Sequence, residues 1–202
     1  MASDMNVDNI LWLFALIAFI LFSNYATHQL GQWHYEHNDP NGKIFDILHH
    51  ITPDLQSYAI YNDTILVLTM ISFLFVPNSV EILKEFLGKF ILIMFVRALT
   101  IMSTILPKHD RCSSELTWMN MFRGQCYDKV FSGHTAFVLL ATLIYLRENI
   151  ISFPAFLGIN IANVTSIILT RSHYTIDVIL ATVITYLVYD GDYTVFTKLK
   201  FQ

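Results

Sequence analysis

Six stretches of this chain are too apolar and too long for the surface of a soluble domain. They are Ile10–Ala26, Tyr58–Val76, Leu87–Leu106, Val130–Leu146, Ile150–Thr170 and Tyr174–Tyr189. A bilayer core of about 30 Å takes roughly 20 apolar residues per helix, and each stretch comes near that. The second qualifies with Asn62-Asp63 at its mouth. The third carries Lys89 and Arg97, the fourth His134, the fifth Pro154 and the sixth Asp177. The first lacks the basic start and small-residue cleavage site of a signal peptide, so it reads as a helix. Composition agrees, with 54% hydrophobic and only 14% charged residues. A net charge of −4 excludes a basic nucleic-acid binder, and two cysteines exclude a disulfide-dense scaffold or a four-cysteine zinc site. The expected fold class is all-α, a single polytopic membrane domain over residues 1–202 with six transmembrane helices.

Six crossings put both termini on one side and the loops 27–57, 107–129 and 171–173 on the other. Lysines and arginines divide almost evenly, five on the terminus side and six on the loop side, so the positive-inside rule gives no orientation. Cys112 and Cys126 share one loop. A bridge between them would close a short loop, worth roughly 3 kcal/mol, and would imply an oxidising compartment. Two unpaired thiols are the alternative. Asn62-Asp63-Thr64 is a glycosylation sequon on the same side, too near the membrane to add weight. The loop side is therefore expected to face a lumen or the exterior.

Ionisable groups at membrane depth mark function by default, and here they converge. His134 opens the fourth span and His173 precedes the sixth, so both lie at one membrane face. His173 and Asp177 stand four residues apart, and on a continuing helix they would share a face. The carboxylate could then accept a hydrogen bond from one ring nitrogen and leave the other nucleophilic. The plainer reading is a His–Asp pair satisfying itself within a bundle. Ser132-Gly133-His134-Thr135 adds a small residue and a hydroxyl where a loop becomes a helix, a place suited to an anion.

Cys126-Tyr-Asp128-Lys-Val-Phe-Ser132-Gly133-His134-Thr135 resembles the C-G-D-x-x-x-S-G-H-T motif of sphingomyelin synthases and related lipid phosphotransferases. His173-Tyr174-Thr175-Ile176-Asp177-Val178 matches their H-Y-T-x-D-V motif. Arg97-Ala-Leu-Thr-Ile-Met with Leu106-Pro107 is similar to their arginine-containing third-helix motif, and Pro53-Asp54 weakly echoes a Pro/Asp motif. These proteins lie within the type 2 phosphatidic acid phosphatase superfamily, and the resemblance covers about residues 45–190.

The resemblance implies a two-step, metal-independent transfer with no cofactor. His173, oriented by Asp177, would attack the phosphorus of a donor phospholipid, and His134 would protonate the departing diacylglycerol. An acceptor hydroxyl, deprotonated by His134, would then take the phospho-headgroup from His173. Ser132, Gly133, Arg171, Arg97 and Asp128 are the candidate substrate-binding residues. Arg171 is the nearest cation, while Arg97 lies about 13 Å down its helix at 1.5 Å per residue and must reach or pair elsewhere. Asp128 serves equally well as a helix cap.

The implied donor carries phosphocholine, phosphoethanolamine or phosphoinositol, and the implied acceptor is ceramide or diacylglycerol. The setting is a multi-pass protein of the Golgi, endoplasmic reticulum or plasma membrane, with homo-oligomerisation left open. The alternatives are a lipid phosphate phosphatase, with water as acceptor, and a non-catalytic lipid-binding or scrambling protein. Tyr127 departs from the family glycine. Seven residues separate Lys89 from Arg97, Ala98 follows Arg97, Phe131 precedes Ser132, and Ser166-Ile167 stands where phosphatases carry Ser-Arg. The last four differences favour the transferase branch. His34, His37, His49 and His50 read as incidental members of a polar loop, with Leu30–Ile44 an interfacial segment.

Overall fold

The computed structural model describes residues 7–37, 44–107, 127 and 129–191. All regular structure among them is helical. In chain order the helices are α1 (Val7–His37), α2 (Ile47–Ile51), α3 (Ile60–Ser72), α4 (Ser79–Ser103), α5 (Gly133–Arg147), α6 (Phe153–Leu169) and α7 (Thr175–Asp190), with one 3-10 turn at Gln56–Tyr58.

Helix α5 is the axis of the bundle. It is apolar all round, the signature of a helix enclosed by others, and Val138 through Tyr145 are all buried. It packs against α3, α4, α6 and α7, while α1 lies chiefly along α4. Phe73, Phe86, Phe90 and Phe137 form an aromatic cluster that runs from one turn past His134 toward the far end of the bundle, with Phe86 and Phe137 centroids 4.7 Å apart. Arg147 grips Glu85 through two hydrogen bonds of 2.7 and 2.6 Å. Lys89 also turns to this end, donating to the Tyr189 carbonyl at 2.8 Å, and so takes no part in the histidine site.

One helix, Ser79–Ser103, is long and apolar enough to cross a membrane by length and composition; Gly133–Arg147 and Phe153–Leu169 are apolar but shorter. The six-crossing expectation therefore rests on one clear span among the described residues. The outer surface nevertheless suits lipid. Leu74, Phe75, Leu11 and Phe14 are among many large apolar side chains that are mostly exposed, far more than isolated surface residues would explain.

Boundaries also moved. Helix α1 runs on to His37, through much of the expected interfacial segment, because it finds a partner in α4. Thr27 donates to the Ile101 carbonyl at 3.3 Å and Tyr35 to the Ile105 carbonyl at 3.0 Å. Helix α4 begins eight residues before the expected span, and α3 is shorter than its own.

The family departure at Tyr127 also has its explanation here. Tyr127 is fully buried and stacks on Tyr35 at 6.2 Å. A Cβ on Gly31 would overlap the Tyr127 ring, so the small residue displaced from position 127 is matched by one on α1.

Candidate active site

Both histidine motifs lie at one end of the bundle, each beside a strained backbone residue. Phe131 has φ 83° and Arg171 φ 57°, the left-handed region that side chains avoid. Ser132 caps α5, its Oγ accepting from the Thr135 amide at 3.2 Å and the Thr135 hydroxyl at 3.0 Å. This buried hydroxyl caps the helix with its lone pairs and keeps its O–H as a donor. Its own amide donates to the Asp177 carbonyl at 3.2 Å, joining the start of α5 to the first turn of α7. Gly133 leaves room for Arg97, whose Nε lies 3.9 Å from the position a Cβ would take. Arg97 thus reaches the Ser-Gly-His turn from α4 while its Nη1 donates to Asn24 at 3.2 Å.

His173 precedes α7 and is not on it, yet the extended Tyr174 still brings its ring beside the Asp177 carboxylate. That carboxylate also caps the helix, accepting from the Tyr174 amide at 2.9 Å. His173 Nδ1 lies 3.0 Å from the Lys129 carbonyl and 3.5 Å from Asp177 Oδ2. A carbonyl can only accept, so Nδ1 carries the proton and Nε2 keeps its lone pair. The orienting group is thus a backbone carbonyl first, with the carboxylate behind it. Burial, and then the positive charge of Lys129, push the His173 pKa well below its ordinary 6.5. Arg97 and His134 act in the same direction, which places all four groups within one another's fields.

The other histidine has a partner the sequence did not nominate. His134 Nε2 lies 3.2 Å from Asp63 Oδ1 on α3. The preceding residue, Asn62, donates to Thr170 at 2.8 Å and to Ser172 at 2.7 Å, and accepts from Ser166 at 2.6 Å. One turn of α3 therefore holds His134 with one side chain and the loop leading to His173 with the next.

A second brace comes from α2. His49 Nε2 donates to the His173 carbonyl at 3.0 Å, and its amide donates to Asp46 at 3.0 Å. Asp46 also accepts from the Thr175 amide at 2.6 Å and hydroxyl at 2.7 Å. Burial outweighs the attraction of Asp46 and keeps the His49 pKa lowered, so the ring is a neutral donor. His49 is not incidental; nothing in its sequence spacing distinguished it from His50.

Arg171 occupies the position after the C-cap of α6, where glycine is favoured. Ser172 N–H bonds to the Ile167 carbonyl and Arg171 N–H to the Ile168 carbonyl, both at 3.1 Å, the Schellman pattern. Its guanidinium donates to the Thr52 hydroxyl at 2.9 Å and carbonyl at 2.6 Å. That anchoring uses two of five N–H donors. Arg171, Lys129, His49, His173 and Tyr174 line one small cleft. Lys129, which also donates to the Ser172 carbonyl at 2.6 Å, is a cation the sequence reading passed over despite its place three residues before Ser132. Asp128, Cys112 and Cys126 lie outside the described residues. Among those described, no group of three or more His, Cys, Asp or Glu could hold a metal ion.

Residues 125–194 match the family model described as PAP2 superfamily C-terminal. The match spans about a third of the chain and contains both histidine motifs. No curated protein matches the chain. The family match supports the type 2 phosphatidic acid phosphatase superfamily, whose members hydrolyse or transfer phosphate groups, and with it a membrane-associated enzyme of phosphate chemistry.

Proposed function

We propose that this protein is a six-crossing lipid phosphotransferase that moves a phospho-headgroup from a glycerophospholipid to ceramide, or to diacylglycerol, through a phosphohistidine on His173. The observation that carries the reading is the 3.0 Å contact of His173 Nδ1 with the Lys129 carbonyl. The Nδ1 proton is held by this carbonyl with Asp177 behind, which leaves Nε2 as an unprotonated nucleophile.

In the first step Nε2 forms the bond to phosphorus and the phosphorus–oxygen bond to diacylglycerol breaks. His134 supplies the proton to that oxygen, and Asp63 stabilises and orients the ring that does so. In the second step His134 takes the proton from the acceptor hydroxyl, which displaces His173 from phosphorus. Arg171, Lys129 and Arg97 face the charge that develops on the phosphoryl oxygens. Phosphocholine, phosphoethanolamine and phosphoinositol are all chemically admissible headgroups for this sequence of steps.

The test is a bilayer of defined composition containing the purified protein, labelled ceramide and a mixture of phosphatidylcholine, phosphatidylethanolamine and phosphatidylinositol. A new charged ceramide, absent with His173→Ala, is the expected product, and its headgroup identifies the donor. Release of inorganic phosphate from added phosphatidic acid, without any ceramide product, would replace the transferase reading with a lipid phosphate phosphatase.

A further inference from the structure

Between α3 and α6 lies a groove of about 1370 Å³, measured out to its open side. Its walls include Tyr61 and Ile65 of α3 and Gly158, Ile161, Ala162 and Leu169 of α6, and no lining residue carries a charge. Small residues on α6 make the surface concave: a Cβ on Gly158 would meet nothing within 4 Å. The groove follows α6 for roughly 17 Å between Gly158 and Leu169 at 1.5 Å per residue.

One end is tied to the candidate site. Thr170 and Ser166 line the groove, and both bond to Asn62, which also holds Ser172. Asn62 precedes Asp63, the partner of His134, and Ser172 precedes His173. Beside that end Tyr58 and Tyr61 stack at 6.1 Å, both more than half exposed, as tyrosines are at the level of lipid headgroups.

We propose that this groove seats one acyl chain of the lipid whose phosphate is presented to His173. The proposal rests on the phosphotransfer reading for the identity of that lipid, but the seat itself follows from shape and chemistry. An uncharged trough that begins at a satisfied polar network beside the two histidines suits a molecule with a phosphate head and a hydrocarbon tail. The polar cluster closes the groove against the head, and the apolar walls receive the tail.

The experiment uses the full chain in bilayer discs of dioleoylphosphatidylcholine, with a trace of phosphatidylcholine carrying a diazirine in one acyl chain as the probe. Gly158→Trp and Ala162→Phe fill the groove from α6, so one serves if the other fails to fold. Photolabel on α3 and α6 peptides, falling about tenfold in either folded variant, is the expected result, with turnover of dioctanoyl relative to dioleoyl substrate rising by a similar factor. Label spread evenly over the lipid-facing helices, or unchanged in both variants, would overturn the seat. So would loss of self-association in the variants without loss of label, which would make the groove an interface between copies. Groove labelling that is blocked by the variants, in a protein that turns over no lipid, would uphold the seat and remove the phosphotransfer reading instead.

Discussion

Asp63 and His134 meet across the contact between α3 and α5, with the ring Nε2 3.2 Å from the carboxylate. This pairing gives the second histidine an orienting acid of its own, separate from the Asp177 that stands behind His173. Asp63 is the more exposed partner, 41% against 24%. Asp63→Asn should therefore leave the fold intact and act on chemistry. We expect kcat to fall by about 100-fold, the lower range for a positioned acid or base, with a smaller change in KM. An unchanged kcat would remove Asp63 from the mechanism.

The lowered pKa of His173 has a definite consequence for pH. Protonation of Nε2 abolishes nucleophilicity, so activity should persist as pH falls through 6.5 and be lost only below it. The same shift means that the unfolded chain binds the proton more readily there, so this group lowers stability as pH drops below 6.5. Lys129→Met removes a positive charge that depresses the pKa, while its carbonyl still holds Nδ1. The acid limb of kcat should move upward in that variant, and a pH–rate profile checks the direction.

His49 tests whether the carbonyl of His173 must be pinned. His49→Ala should reduce kcat by roughly 10-fold or more, since small displacements of a reacting group cost up to about 100-fold, while KM changes little. His49→Gln keeps a donor near the same place and should recover part of the loss. Equal behaviour of Ala and Gln would assign His49 to packing alone.

Arg171 combines backbone strain with side-chain anchoring. Glycine at this position would relieve a left-handed residue that costs about 1–2 kcal/mol, against the loss of two hydrogen bonds to Thr52 of about 1 kcal/mol each. Arg171→Gly should thus unfold within a few degrees of the wild type, because the two effects nearly cancel. Its turnover should nonetheless drop by about 100-fold or more, as expected for a lost charge stabiliser. A stable and fully active glycine variant would make Arg171 structural only.

The close approach of α1 to Tyr127 makes a separate prediction about stability. Gly31→Ala must displace a fully buried ring and should destabilise the protein by about 1–3 kcal/mol. In a Tyr127→Gly background, which has already lost the buried ring, the same Gly31→Ala change should cost much less, measured by thermal unfolding.

The two histidine motifs and the helix that starts at Gly133 were legible because spacing and local chemistry specify them. The change from loop to helix at Ser132-Gly133 was readable, although the cap was looked for at Asp128, and Pro154 stands in the first turn of α6, where its missing N–H is harmless. What escaped was set by tertiary contact. Nothing within Asp63-Thr64 or His49-His50 announces a partner separated by 71 or 124 residues in the chain. The His173–Asp177 contact forms without the continuing helix that its spacing suggested: the chain is extended at Tyr174, and the carboxylate meets both the Tyr174 amide and the His173 ring. Helix α1 outran its apolar stretch because Thr27 and Tyr35 found carbonyls at the end of α4.

The short segment from Asp46 to Thr52 holds three points around the His173 loop: the carbonyl of His173, the first residue of α7 and the guanidinium of Arg171. With Asn62 and Asp63 it makes the site a composite of two distant parts of the polypeptide. The C-terminal portion holds both histidines yet is not a portable module, and grafting it onto another membrane scaffold would carry over the reacting groups without the clamp that aligns them. Conversely, the two parts co-produced as separate polypeptides, divided between residues 107 and 127, should complement each other, since these side-chain bonds join them.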